Sequence, residues 1–248
     1  MTSTTNILIT GTRKGCGLGL LKGYAALDNH TIVAAINYAP ESGEAKTMLA
    51  ALTLGTNTTV IPVAYDAASP TSAATMVRNL PSTFNHIDIL IANAAFNRAN
   101  LAKDQGLDEL EVLLKTNALG PLALYQATRD LLEAASKPRY IYISTLAASM
   151  AESPQLPIPL TAVSMSKAAG NAFVVQANKE EKKIVLVTMN PGWVQSESGN
   201  MVANMLGMEK APTEMGWFVE KVMRTIDGMT KQNSGGRFIN AKGEAVPW

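Results

Sequence analysis

Cysteine and histidine are scarce in this chain of 248 residues, which contains one cysteine and two histidines. The single Cys16 excludes an intrachain disulfide, and no cluster of cysteine and histidine supports a metal site. No apolar run approaches the roughly 18 residues that are needed to cross a bilayer. The segment from Met1 to Asn6 lacks the charged and apolar parts of a secretory leader, so we expect a soluble, cytoplasmic protein.

An excess of charge of either sign is also missing, since 21 basic residues face 20 acidic ones. This balance gives no electrostatic attraction for nucleic acid or an anionic membrane, and it favours a small-molecule partner. The serine elbow and the zinc-binding helix motif of hydrolases are absent as well. With 47% hydrophobic residues, the chain is long enough to bury one core, and we expect a single domain over residues 1–248.

Short β-type apolar runs alternate with longer segments of helical period along the chain. This alternation predicts an α/β fold of the Rossmann-like type, a doubly wound parallel sheet with helices on both faces. The predicted strands are Asn6 to Thr10, Thr31 to Ile36, Thr59 to Val63, Ile87 to Ala92, Arg139 to Ser144 and Ile184 to Met189.

The helical segments are bounded less sharply, and Gly120-Pro121 predicts a break or kink inside the fourth one. The segment Ser198 to Ala211 is compatible with a mobile substrate lid or with an ordinary surface loop. The predicted helices are Gly17 to Asp28, Glu41 to Leu54, Ser69 to Phe84, Leu107 to Ala135, Thr161 to Glu181 and Pro212 to Met229.

A glycine-rich turn, from Thr10 to Gly19, connects the first strand to the first helix. Gly11, Gly15 and Gly17 allow the backbone to turn tightly and to approach a pyrophosphate. The helix that follows offers free N–H groups and a partial positive charge at its N-terminus. The turn therefore predicts a dinucleotide site.

The Gly-x-x-x-Gly-x-Gly spacing of this turn resembles that of the short-chain dehydrogenase/reductase family, and further motifs of that family recur in order over the whole chain. Asn93-Ala94-Ala95 resembles its Asn-Ala-Gly turn, and the ending from Gly243 to Trp248 is similar to fungal-type carbonyl and ketoreductase members. The resemblance implies the following roles: Asp66 meets the adenine, Asn93 shapes the cofactor turn, Asn117 carries a proton-relay water, Ser144 orients the substrate, Lys167 is the catalytic lysine, and Pro191, Gly192 and Val194 cover the nicotinamide.

The residues around the predicted adenosine end favour NADP(H) over NAD(H). The second strand ends in Ile36-Asn37-Tyr38, so Asn37 stands where an acid would bind the ribose 2′-hydroxyl of NAD. No carboxylate there repels a 2′-phosphate, and Arg13 and Lys14 offer paired cations to this dianion. The alternative interpretation of Arg13 and Lys14 is two solvated loop charges.

The most unusual position is Val163, four residues before Lys167, where the family has a tyrosine that protonates the substrate oxygen. A positioned general acid contributes roughly 10² to 10⁴ in rate, so ordinary ketone reduction should be strongly impaired. Tyr140 and Tyr142 are the nearest upstream tyrosines, and their predicted strand positions favour packing against a helix. His30 and His86 lie near strand starts, which places them at the opposite edge of the sheet.

Three explanations of Val163 stay open at this point. In the first, the chain is an inactivated variant of a ketoreductase. In the second, it transfers hydride to a natural-product-like substrate, either a cyclic iminium ion that needs no proton or a carbonyl that is reduced slowly through water. In the third, the fold has left redox chemistry and has become a cyclase or isomerase, which acts by holding a near-attack geometry, or a cofactor-sensing binding protein. The resemblance also implies a homodimer or homotetramer, paired through the helices that span Asn117 to Ala135 and Thr161 to Glu181.

Overall fold

The computed structural model describes residues 4–248, which contain one sheet of seven parallel strands in the order β3-β2-β1-β4-β5-β6-β7. The predicted doubly wound parallel sheet is confirmed. The strands are β1 (Thr5–Thr10), β2 (His30–Ile36), β3 (Thr59–Ala64), β4 (Ile89–Ala92), β5 (Arg139–Ile143), β6 (Val185–Asn190) and β7 (Phe238–Asn240).

Helices cover both faces of this sheet. Helices α1, α2 and α8 pack against the isoleucine-rich face, and α3, α5 and α6 pack against the face that carries Tyr140 and Tyr142. The helices are α1 (Gly15–Ala25), α2 (Gly43–Ala50), α3 (Ser72–Arg78), α4 (Leu107–Leu114), α5 (Gly120–Ala134), α6 (Thr161–Glu180), α7 (Glu197–Met205) and α8 (Met215–Asp227), with short 3₁₀ turns at Ala102–Asp104, Leu146–Ala148 and Ser153–Gln155.

The predicted break in the fourth helical segment is a π-helical turn at Lys115–Leu119, between α4 and α5. Pro121 has no N–H, so the carbonyl of Asn117 loses its usual donor four residues later. The Tyr142 hydroxyl donates to this carbonyl at 2.6 Å, and the Tyr140 hydroxyl donates to the carbonyl of Pro121 at 2.7 Å. The two tyrosines of β5 therefore pack against the helix, as predicted, and they also satisfy the distorted backbone.

Two predictions from the pattern need correction. The sheet has a seventh strand, β7, which was missed because three residues after Gly235-Gly236 are too few to show a period. Ser198 to Ala211 is not simply a loop, because α7 covers its first half. The Ser196 side chain caps this helix by accepting from the Gly199 N–H at 3.1 Å.

Within residues 4–248, no helix combines the length and apolar character of a bilayer-crossing segment.

Close contact between α6 and β5 gives a stability prediction. A Cβ atom at Gly170 would overlap the Tyr142 hydroxyl and ring, which are fully buried and cannot move away. We expect Gly170→Ala to lower the free energy of unfolding by about 1–3 kcal/mol, as overpacking does in a filled core. Urea denaturation measures this change. Gly43→Ala in α2 is the matched control, because its added Cβ meets no atom within 4 Å, and an equal loss in both variants would contradict the packing argument.

Candidate functional site

A cleft of about 1030 Å³ opens at the carboxyl edge of the sheet. The loops that follow β1 to β6 line it, together with residues of α4, α6 and α7. It spans the point between β1 and β4 where the strand order reverses, which is where doubly wound sheets bind their ligands. All the residues to which the sequence assigns a cofactor or catalytic role lie along this cleft or directly behind its wall.

The glycine turn after β1 forms one end of the cleft. Gly11 and Gly15 have φ angles of 70° and 60°, which side chains other than glycine rarely adopt. A Cβ atom at Gly11 would lie 2.9 Å from the Ala94 Cα, and one at Gly17 would overlap the Gly11 carbonyl and the Asn93 side chain. Helix α1 begins here without a side-chain cap, so its first N–H groups are available to an anion.

Asn93 holds this turn against the end of β4. Its side-chain amide donates to the Thr10 carbonyl at 2.9 Å and to the Gly11 carbonyl at 3.3 Å. In return, the Thr10 hydroxyl accepts from the backbone N–H groups of Asn93 and Ala94, both at 3.0 Å. The Asn93 side chain therefore shapes the cradle, and its ligand contacts stay a prediction.

Beyond the turn, the cleft is polar and exposed. Lys14 forms an ion pair of 2.7 Å with Glu197 at the start of α7, and it thereby links the glycine turn to that helix. Arg13 lies close enough to Tyr38 to oppose the rise that desolvation causes in the pKa of that tyrosine. Asn37 is exposed at the end of β2, and the Asp66 carboxylate accepts from the Ala68 N–H at 2.9 Å.

Lys167 and Val163 lie on one face of α6, one helical turn apart, and both border the cleft. The Lys167 ammonium is buried, donates to the Ile143 carbonyl at 2.6 Å and lies 4.7 Å from the centre of the Tyr142 ring. Burial lowers the pKa of Lys167 to about 7. Val163 is 4% exposed and packs with Leu113 and Ala162, so this part of the wall is apolar.

The two hydroxyl groups at the end of β5 have different surroundings. Ser144 is buried, lines the cleft and donates to the Asn171 Oδ1 at 2.7 Å. Thr145 is half-buried, borders the cleft and accepts from the Ala147 N–H at 3.3 Å, which leaves its hydroxyl hydrogen available. The sequence analysis missed Thr145; its position directly after a strand is the signal that could have found it.

Asn117 is also buried in protein contacts. Its side chain donates to the Phe96 carbonyl at 2.9 Å and to the Ser166 hydroxyl at 3.0 Å, and it accepts from the Phe96 N–H at 3.0 Å. The backbone carbonyl of Asn117 already accepts from the Tyr142 hydroxyl. One of the two lone pairs with which this oxygen could accept from a relay water is therefore taken. The predicted relay role stays untested.

The turn after β6 forms the opposite wall of the cleft. Gly192 has a φ angle of 79°, and its N–H donates to the Asn190 side chain at 3.3 Å. Pro191 and Gly192 line the cleft, while Val194 is buried and pairs with Thr213. The Trp193 indole donates to the Gly199 carbonyl at 2.8 Å, and this bond ties the turn to α7.

The fold and the cleft define a doubly wound α/β protein with a glycine-rich turn at the switch point. The family model described as short chain dehydrogenase matches residues 5–206. The short-chain dehydrogenase RED3 of Pyricularia oryzae is 31% identical over 100% of both chains. A norsolorinic acid ketoreductase of Emericella nidulans is 33% identical, with 98% of this chain and 94% of the relative covered. The chain therefore belongs to the short-chain dehydrogenase family.

Solved structures share this fold at lower identity. The NADPH-bound carbonyl reductase from chicken fatty liver has a TM-score of 0.85 and 23% identity, and the match covers 99% of this chain and 100% of that one. The carbonyl reductase Sniffer of D. melanogaster has a TM-score of 0.82 and 21% identity, with the same coverage. Both support the architecture that was predicted from the alternating strands and helices.

The buried lysine predicts a pH-dependent stability. The pKa of Lys167 is about 7 in the folded protein, whereas the ordinary value for lysine is 10.5. Between pH 7 and pH 10.5, the unfolded chain therefore binds more protons than the folded protein. Rising pH then favours folding, by up to about 1.4 kcal/mol per pH unit. Relative to Lys167→Met, the wild type should gain stability from pH 7 towards pH 10, and the gain is absent below pH 7, where both states are charged.

Urea denaturation of both proteins across this pH range measures the difference. Lys179→Met, at an exposed position near the end of α6, is the control and should give a constant offset from the wild type. A constant offset for Lys167→Met as well would show that this lysine keeps an ordinary pKa.

Proposed function

We propose that this protein is an NADP(H)-dependent reductase that transfers hydride to a small ring-containing substrate without a tyrosine acid. The observation that carries the proposal is the combination, in one cleft, of an intact glycine cradle with a buried lysine beside an apolar Val163. An inactive relic would not need to retain both the positive-φ glycines of the turn and the costly burial of a lysine amino group.

The turn fits a dinucleotide, since Gly11 and Gly17 let it pack closely against Asn93 and Ala94 and the uncapped N-terminus of α1 offers N–H groups to an anion. When bound, the reduced nicotinamide supplies hydride. We assign the pyrophosphate to the N-terminus of α1, the 2′-phosphate to Arg13 and Lys14, and the nicotinamide ribose to Lys167. The complete proposed cofactor set is Gly11, Arg13, Lys14, Gly15, Gly17, Asn37, Asp66, Asn93, Lys167, Pro191, Gly192 and Val194.

The choice of NADP(H) over NAD(H) rests on charge. Asn37 offers no carboxylate at the end of β2, and Arg13 and Lys14 are the cations that border this end of the cleft. Lys14 is paired with Glu197, so the 2′-phosphate would compete with that carboxylate for the ammonium group. The chicken carbonyl reductase that shares the fold is itself bound to NADPH.

The catalytic set that we propose is Ser144, Lys167, Asn117 and Val163, to which the structure adds Thr145. Lys167 supplies an amino group, charged below its pKa of about 7, beside the reacting end, and we assign to the Thr145 hydroxyl a hydrogen bond to a substrate oxygen. Ser144 and Asn117 position the backbone behind them. Relatives named norsolorinic acid ketoreductases support a reductase of small molecules. A cytoplasmic location, a place in secondary metabolism and assembly into dimers or tetramers stay predictions.

The test is NADPH binding, followed by its oxidation with trifluoroacetophenone and with an N-methyl dihydroisoquinolinium salt, for the wild type and for Val163→Tyr. Binding with turnover of at least one compound supports the proposal. Val163→Tyr should raise ketone reduction by about 10²- to 10⁴-fold, because it restores a general acid. Tight NADPH binding without turnover in either protein would contradict a reductase and favour a non-redox cyclase or isomerase.

Substitutions of Thr145 and Ser144 should differ in their effects on kcat and on the free energy of unfolding. Thr145→Val removes a donor to the substrate and the acceptor of the Ala147 N–H, so we expect a loss of about 10²-fold in kcat and of about 1 kcal/mol in the free energy of unfolding. Ser144→Ala leaves Asn171 without its buried partner and should lower the free energy of unfolding by about 1–3 kcal/mol. Steady-state kinetics and urea denaturation distinguish them, and a kinetic loss confined to Ser144→Ala would restore Ser144 as the substrate-orienting residue.

A further inference from the structure

Residues 245–248 form a strap along the edge of the sheet. The chain turns back after β7 and runs antiparallel to it, so that the Val246 N–H donates to the Phe238 carbonyl at 2.8 Å. The Trp248 ring stacks on the buried Phe238 ring, with 5.4 Å between the ring centroids and 30° between the planes. The strap is therefore fixed to β7 by its backbone and by an aromatic pair.

The strap also contacts the loop that connects β5 to α6, which comprises residues 144–160. The Ser149 hydroxyl donates to the Pro247 carbonyl at 2.7 Å, and the Ala151 N–H donates to the Trp248 carbonyl at 3.1 Å. Ser149 is fully buried, and its oxygen also accepts from a backbone N–H of the loop at 3.0 Å. One buried hydroxyl group therefore joins the strap to a turn inside the loop.

The two bonds to the strap differ from the other hydrogen bonds of the loop. For residues 145–158 of the described chain, every other hydrogen bond joins two positions of the loop itself. Such local bonds fix the shape of the loop but not its place on the sheet. That place depends on the strap and on the apolar packing of Ala147 and Leu156.

Both ends of this loop line the cleft, whereas its outer part, residues 147–155, does not. Leu156 and Leu160 also pack against the cluster that contains Val163, so the loop continues the apolar wall. The glycine turn at the other end of the cleft receives no residue of the loop. The loop residues that line the cleft, besides Ser144, are Thr145, Leu146, Leu156, Pro157, Ile158 and Leu160.

From these contacts we infer that the strap positions the substrate wall of the cleft, with Ser149 and Trp248 as its positioning residues. The inference deepens the proposed function and rests on it for the assignment of this wall to a substrate. Neither residue borders the cleft, so each acts through the loop and not on the reacting atoms. Loss of either contact lets the loop open more often, which weakens substrate binding more than it slows the chemical step.

Hydrogen exchange, followed by mass spectrometry, tests the strap without any substrate. Ser149→Ala removes both bonds of the buried hydroxyl, and Trp248→Ala removes the aromatic pair but retains the backbone carbonyl. We expect residues 145–160 to exchange about tenfold faster in Ser149→Ala and about fivefold faster in Trp248→Ala, with the glycine turn unchanged. Trp248→Phe retains an aromatic ring and should keep the wild-type rate. Met150→Ala is the matched control, because Met150 lies in the same loop and is 69% exposed.

Steady-state kinetics tests the positioning role, with whichever of trifluoroacetophenone and the N-methyl dihydroisoquinolinium salt the wild type reduces faster. In Ser149→Ala we expect KM to rise about tenfold and kcat to fall by less than about threefold, while the Kd of NADPH is unchanged. Met150→Ala should keep all three wild-type values.

The possible outcomes separate the inference from the proposed function. Unchanged exchange in both Ser149→Ala and Trp248→Ala would overturn the inference, whatever their activity. Faster exchange with an unchanged KM would overturn the positioning role. Absence of turnover in the wild type would overturn the proposed function, and with it the assignment of this wall to a substrate.

Discussion

The burial of the Lys167 ammonium against the end of β5 is the constraint on which the site depends. One hydrogen bond to the Ile143 carbonyl and the face of the Tyr142 ring offset only part of its desolvation, which still lowers the pKa of Lys167 to about 7. These contacts require α6 to lie directly on β5, and Gly170 permits that approach because any side chain there would meet Tyr142. The position of Val163 follows, since it lies one turn earlier on the same helix.

The same packing extends to the interrupted helix. Tyr142 contacts Lys167 with its ring and donates its hydroxyl hydrogen to the Asn117 carbonyl, which Pro121 leaves without a helical donor. Tyr142, a buried tyrosine of the core, therefore contacts Lys167, the π-helical turn and α6. On the other side, Ser144 and Asn171 form a buried pair that fixes the strand end from which Thr145 faces the cleft.

Val163 gives the wall of the cleft beside Lys167 an apolar side chain, which cannot supply a proton. The hydrogen-bond donors at this end of the cleft are the Lys167 amino group and the Thr145 hydroxyl. A reaction that needs a proton here must therefore take it from these groups or from solvent.

The sequence by itself determined six of the seven strands, the parallel sheet, the glycine turn and the place of Val163 relative to Lys167. These features depend on local periodicity, on glycine spacing and on helical geometry, all of which are local along the chain. Only the tertiary structure decided that Ser144 forms a hydrogen bond with Asn171 and that Lys14 pairs with Glu197. Those outcomes depend on contacts between residues far apart in sequence, and no local pattern encodes them.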